Sequence, residues 1–279
     1  MILISKLTAT GNDFLLVGLH TPQAAAEWPA HFKGRTRAEV TRQLCDRHEG
    51  IGADGMLFFT DSGDADFAWD FYNQDGSSAE MCGNAARCAG LWAARTCGGW
   101  RDFRFETAAG LVGVRRLDNG MIEVLMPKVT LKKENLEVKL STGRTKVMWV
   151  DSGVPHAVIR QESLKEREVL RSEARELRHH NEFGAAGANV TFYVEHDGQK
   201  ISTLTFERGV EDFTRACGTG AVAAAYVQHL KSKANQIHVQ VPGGLLTVDL
   251  SEARPRLAGP AHWVADCQVD TSADGVLPK

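Results

Sequence analysis

Two cysteines stand in the same unusual setting. Cys82 lies in "AEMCGNAARCAGLWAAR" and Cys217 in "TRACGTGAVAAAYVQHL", each followed by glycine and a short polar residue where an alanine-rich run begins. These runs predict helices over 83–96 and 218–231, because alanine, leucine and other good helix formers dominate them. Each sulfur then sits at a helix mouth. There the first N–H groups lack partners within the helix and the positive end of its dipole faces outward, which favours an anion. A cysteine so placed is expected to ionise readily. The residues that follow are Gly83 and Asn84, and Gly218 and Thr219; glycine lets a ligand approach the backbone closely, so these amides could cradle a carboxylate or a phosphate.

Thiol and thiolate are one group in two protonation states. A matched pair flanking a carbon could remove a proton from one face and return one to the other, in either direction. The α-hydrogen of an amino acid is a very weak acid, and two helix mouths could stabilise charge spreading from the α-carbon onto its carboxylate. No lysine stands in a context that suggests a Schiff base, so no cofactor is expected. The other cysteines, Cys45, Cys88, Cys97 and Cys267, have no such setting and read as packing residues. With no CxxC pair or zinc-finger spacing, no metal is expected.

A repeat positions the pair. Cys82 and Cys217 are 135 residues apart, and the same offset lays "GADGMLFF" (52–59) on "GANVTFYV" (187–194), with Asp54 on Asn189. After each helix a glycine turn leads into an alternating strand, "TAAGLVGV" and "VPGGLLTV". The fold class expected is α/β (α+β). Two pseudo-symmetric domains would each wrap a strand-rich, barrel-like sheet around a central helix, with the active site in the cleft between them. The first would span 1–126, with 263–279 returning to it, and the second 127–262. The polar, proline-started stretch 127–144 reads as a linker. The charge-dense run 161–180 reads as a solvated surface helix whose apolar side uses Leu164, Val169 or Leu170, and Leu177.

With 32 Lys and Arg against 35 Asp and Glu, and no basic block, nucleic acid is not an expected partner. No apolar run reaches the roughly 18 residues of a membrane span, and the N-terminus does not read as a signal peptide. A reducing, cytoplasmic setting is expected.

At five stretches the sequence resembles the diaminopimelate epimerases: "GNDF" (11–14), "RHEGIGADG" (47–55), "FYNQDGSSAEMCGNAARC" (71–88), "GVPHAV" (153–158) and "ERGVEDFTRACGTGA" (207–221). The resemblance implies a cofactor-independent isomerase of lysine and peptidoglycan precursor biosynthesis, interconverting L,L- and meso-diaminopimelate through Cys82 and Cys217. It implies that Gly83, Asn84, Gly218 and Thr219 hold the reacting carboxylate. Asn12, Asn73, Asn189 and Arg208 would read the distal end, with Glu207 and His156 near the reacting centre. The pattern is departed from at Val154, where other members carry asparagine, and at Gly55, where some carry glutamine. A racemase of the same fold acting on another amino acid therefore stays open. So does a thiol-redox or ligand-binding protein in which the two sulfurs pair. A homodimer is also left open.

Overall fold

The computed structural model describes residues 2–99, 101–163 and 166–271. The chain divides into two compact units. One runs to Val124 and takes the chain back from Pro260; the other is Leu125–Gly259. Each has its own apolar core.

In the first unit, β1 (Ile2–Ala9) and β2 (Asn12–Gly18) form a hairpin whose turn residues Thr10 and Gly11 both take positive φ. Two short helices, α1 (Pro22–His31) and α2 (Arg37–Cys45), precede β3 (Gly55–Thr60), β4 (Phe67–Asn73) and the two-residue β5 (Ser78–Ala79). The helix α3 (Gly83–Thr96) leads to β6 (Asp102–Thr107), β7 (Gly110–Arg116) and β8 (Ile122–Leu125). Within the second unit come β9 (Thr130–Leu140), β10 (Gly143–Asp151), β11 (Pro155–Gln161), α4 (Arg167–Arg178), β12 (Asn189–Asp197), β13 (Lys200–Glu207) and β14 (Asp212–Phe213). Then follow α5 (Gly218–Ser232), β15 (Gln236–Val241), β16 (Gly244–Asp249) and β17 (Arg256–Gly259), and β18 (His262–Val269) belongs to the first unit.

The two units repeat one strand order. The first orders its strands β18–β1–β2–β3–β4–β6–β7–β8 and the second β9–β10–β11–β12–β13–β15–β16–β17. Parallel pairs fall at matching places, β2–β3 and β4–β6 in one, β11–β12 and β13–β15 in the other; the remaining pairs are antiparallel. The helix α5 touches β10, β11, β12, β13, β15 and β16, so its sheet curves around it. Residues 221–225, "AVAAA", are accordingly inaccessible to solvent. A helix wrapped by sheet must be apolar on every side and small enough to let strands approach, which accounts for the alanines.

The stretch 127–144 is not a linker. It supplies β9 and enters β10 through a tight turn, giving a long antiparallel hairpin. Its many lysines and glutamates face solvent, while Val138 and Leu140 alternate with them and are buried. Period-two burial outweighed a polar composition. In the charge-dense run, α4 buries Leu170, Ala174 and Leu177, leaves Val169 61% exposed, and begins after Leu164, which lies outside the described residues.

Candidate active site

Cys82 and Cys217 are the N-cap residues of α3 and α5, each in extended backbone conformation just before the helix. Their carbonyls accept the first helical bonds, from Ala86 N–H at 2.8 Å and Ala221 N–H at 2.9 Å. The Gly220 amide donates to the Cys217 sulfur, and each sulfur stands beside the first amides of its helix.

Around Cys82 the first unit collects Thr10, Asn12, Asn84 and Arg87. Asn12 begins β2 immediately after the strained turn, which aims its side chain toward α3. Asn84 donates to Asn12 Oδ1, and Asn12 donates to Asp54 Oδ2 at 3.0 Å. Asn84 Oδ1 accepts from Thr10 Oγ1 at 3.2 Å and from Arg87 Nη2 at 2.6 Å. Asn73 stands apart from this group as the exposed last residue of β4, donating to Ser77 Oγ at 3.0 Å. Gly55 has no room for a glutamine: a Cβ there would meet the Tyr72 carbonyl at 2.6 Å and the Phe71 ring at 2.8 Å.

In the second unit, parallel register sets His156 of β11 beside Asn189 of β12. His156 is inaccessible to solvent. Its Nδ1 lies 2.9 Å from Thr191 Oγ1 and its Nε2 lies 3.0 Å from Thr219 Oγ1, the residue 3.4 Å from Cys217 Sγ. Burial, with a contribution from the Arg208 charge, lowers the His156 pKa to about 3, so the ring is neutral. Ser152 Oγ donates to the Thr219 carbonyl at 2.8 Å, and Thr191 Oγ1 lies 3.1 Å from Thr205 Oγ1. Gly220 is required here, because a Cβ would come within 2.5 Å of Thr205 Oγ1. Asn189 faces inward, accepting from the Arg208 backbone N–H at 2.7 Å, while the Arg208 residue itself is exposed. Thr214 donates to Glu207, whose carboxyl burial holds above the usual carboxylate range.

The sulfurs are not alike. Cys217 is 7% exposed, and burial, reinforced by the Glu207 charge, raises its pKa well above the ordinary thiol value despite hydrogen bonds from Thr219 and the Gly220 amide. The expectation that a helix mouth lowers this pKa is corrected: removal from water and a neighbouring carboxyl outweigh the dipole. Cys82 is partly exposed. Of the remaining cysteines, Cys45 and Cys88 are buried, whereas Cys97 and Cys267 are partly exposed rather than packed.

Thr10, Asp54, Arg87, Ser152, Thr191 and Thr205 belong to these clusters although the sequence did not single them out. For Thr191 and Thr205 the signal was a threonine at an inward position of the apolar runs "NVTFYV" and "ISTLTF". For Arg87 it was a cation three and four residues beyond Asn84 and Gly83 in an alanine-rich helix.

Comparison with known proteins first defines the class of fold. A solved hydroxyproline epimerase from Agrobacterium vitis superposes with a TM-score of 0.67 over 98% of this chain and 94% of its own, at 16% identity. A solved probable proline racemase from Agrobacterium radiobacter K84 gives 0.66 over 96% and 93%, at 18% identity. The fold is thus one found among racemases and epimerases. The model of the family described as diaminopimelate epimerase matches residues 4–145 and 148–264. A diaminopimelate epimerase from Aquifex aeolicus is 34% identical over 252 residues, covering 88% of this chain and 89% of its own. The chain belongs to the diaminopimelate epimerase family. Among the described residues, no helix is long and apolar enough to cross a membrane.

Proposed function

We propose that the protein is an isomerase that inverts one α-carbon of diaminopimelate, interconverting the L,L and meso forms, with Cys82 and Cys217 as the two proton-transfer groups. The observation that carries the reading is the pair of cysteines at the same N-cap position of two topologically equivalent helices, each beside open glycine-flanked amides. Membership of the family supplies the substrate, and lysine and peptidoglycan precursor synthesis as its setting. One thiolate removes the α-proton while the opposite thiol delivers one, so the total protonation of the pair is conserved and no oxidant or cofactor enters.

Gly83, Asn84, Gly218 and Thr219 hold the carboxylate next to the reacting carbon, where the amides and dipoles stabilise the charge that develops. Asn12, Asn73, Asn189 and Arg208 are assigned to the distal amino-acid end. The Arg208 guanidinium suits a carboxylate because it offers parallel donors. The neutral His156 fixes the Thr219 hydroxyl beside Cys217, and Glu207 supplies the negative charge that keeps Cys217 protonated. A shuttle of free thiols suits a reducing compartment, which supports a cytoplasmic setting.

Replacement tests the roles. Cys82→Ala and Cys217→Ala should each lose at least about 10³-fold in turnover, since each sulfur is assigned the proton transfer on its own face of the carbon. Near wild-type turnover by either variant, measured on pure L,L-diaminopimelate, would sink the two-thiol reading.

A further inference from the structure

Among the described residues, Arg87 is the largest fully buried side chain, at 0% exposure. It carries a charge that three features of its position disfavour. It is removed from water. Among the described residues no carboxylate pairs with it. It also points to the positive end of its own helix. The last follows from helix geometry, which tilts side chains toward the N-terminus, so a residue at 87 reaches 83 and 84. Its Nη1 indeed donates to the Gly83 carbonyl at 3.3 Å, and its Nη2 to Asn84 Oδ1 and Thr10 Oγ1 at 2.6 and 2.7 Å. Its Nε is buried without a partner. A buried cation is retained only where an anion compensates it, and a helix N-terminus adds repulsion to the cost.

Among the described residues, the groups able to carry negative charge that act on Arg87 are the sulfurs of Cys88 and Cys82. Cys88 is sealed in the core, where burial drives its thiol far up; it stays neutral. That leaves Cys82. The charged groups on the elements packed against α3 turn elsewhere: Lys6 of β1 pairs with Asp13 of β2, Arg115 of β7 with Asp102, and Asp266 of β18 accepts from Ser5. Arg116 of β7 and His262 of β18 are exposed, Cys267 is partly exposed, and Arg95 of α3 lies over the Trp263 ring. Asp13 also acts on Cys88, in the direction that keeps it protonated.

We propose that Arg87 is a positioning residue for Cys82, its buried guanidinium holding a positive charge behind the sulfur while fixing the amide of Asn84 at the mouth of α3. The second role follows from donor inventory. A guanidinium only donates, so it can engage only the oxygen of Asn84, and the Asn84 NH2 must then point away, toward Asn12. The proposal rests on the two-thiol reading, which it deepens. At the corresponding place in α5, the same 135-residue offset, stands the buried Val222, and Cys217 is instead accompanied by the carboxyl of Glu207. The duplicated halves thus differ in sign: a cation behind one sulfur and an acid beside the other.

The test reads Cys82 directly and needs no substrate, so it stands whether or not diaminopimelate is turned over. The full-length reduced protein is alkylated with iodoacetamide across pH 5–10, and modification of each cysteine is followed by peptide mass spectrometry. Arg87→Gln keeps a donor toward Asn84 but removes the charge. The midpoint for Cys82 should rise by about one unit or more, so that its alkylation near neutral pH slows about tenfold. Arg87→Lys, which keeps the charge, should restore the midpoint to within about 0.3 unit of wild type. A purely structural role would lower the melting temperature of both variants and leave the Cys82 midpoint in place. An Arg87→Gln protein with native near-ultraviolet circular dichroism and an unmoved Cys82 midpoint would overturn the proposal. Should Arg87→Gln not fold, Arg87→Lys decides, because a midpoint raised as far as one unit despite the retained charge also overturns it.

Discussion

His156 shows how a buried side chain becomes visible in solution. Its folded pKa, about 3, lies below the ordinary histidine value near 6.5 because burial penalises the imidazolium. The unfolded chain therefore binds a proton in the window from about 6.5 down to 3 that the folded chain refuses. Stability is fully present above that window and is lost as pH falls through it, by an amount of order a few kcal/mol. His156→Gln, which keeps polar atoms near Thr191 and Thr219, should flatten that limb of the urea stability–pH curve. A variant whose limb is as steep as wild type would show that His156 is not the group responsible. At this scale the sequence was informative about the cysteines, because Cys-Gly before an alanine run marks a helix mouth on its own. Thr191, Thr205 and Arg87 were not legible. Each is a polar residue in an apolar run, and its meaning depends on partners brought from other strands or an earlier turn.

Helix α3 is held as close to its sheet as Gly90 allows. A Cβ at that position would come within 2.3 Å of Val114 Cγ1 and 2.9 Å of Ile122 Cγ2. Alanine in a helix interior gains about 1 kcal/mol over glycine; overpacking costs ~1–3 kcal/mol, and an approach this short belongs at the upper end. Gly90→Ala should therefore lose about 1–2 kcal/mol in urea unfolding, whereas equal or greater stability would mean the helix can move off β7 and β8 freely. The element that composition concealed was the β9–β10 hairpin. Its outward face is so rich in lysine and glutamate that it resembled a linker, and only the buried residues Val138 and Leu140, two apart, with Val147 and Val150 on either side of a register shift in β10, marked it as sheet. The two main helices were legible to within a residue, since alanine-rich runs between glycine boundaries admit little else.

Over the whole chain, duplication is expressed in strand order as well as in sequence. Parallel pairs recur at matching places, and in each unit a helix with cysteine at its N-cap position follows a two-residue strand. Chemistry has diverged within that shared frame: Asn12, Asn84 and Arg87 surround one helix mouth, His156, Thr219 and Glu207 the other. Such divergence suits a reaction in which one group must give up a proton while its counterpart receives one. The most direct measurement is proton NMR of reduced protein with L,L-diaminopimelate in D₂O, followed from the first turnovers. Two-thiol inversion predicts that newly formed meso product carries deuterium at the inverted α-carbon, while unreacted L,L substrate still carries its proton. Meso product that retains the original proton, or an α-proton that never exchanges, would contradict it.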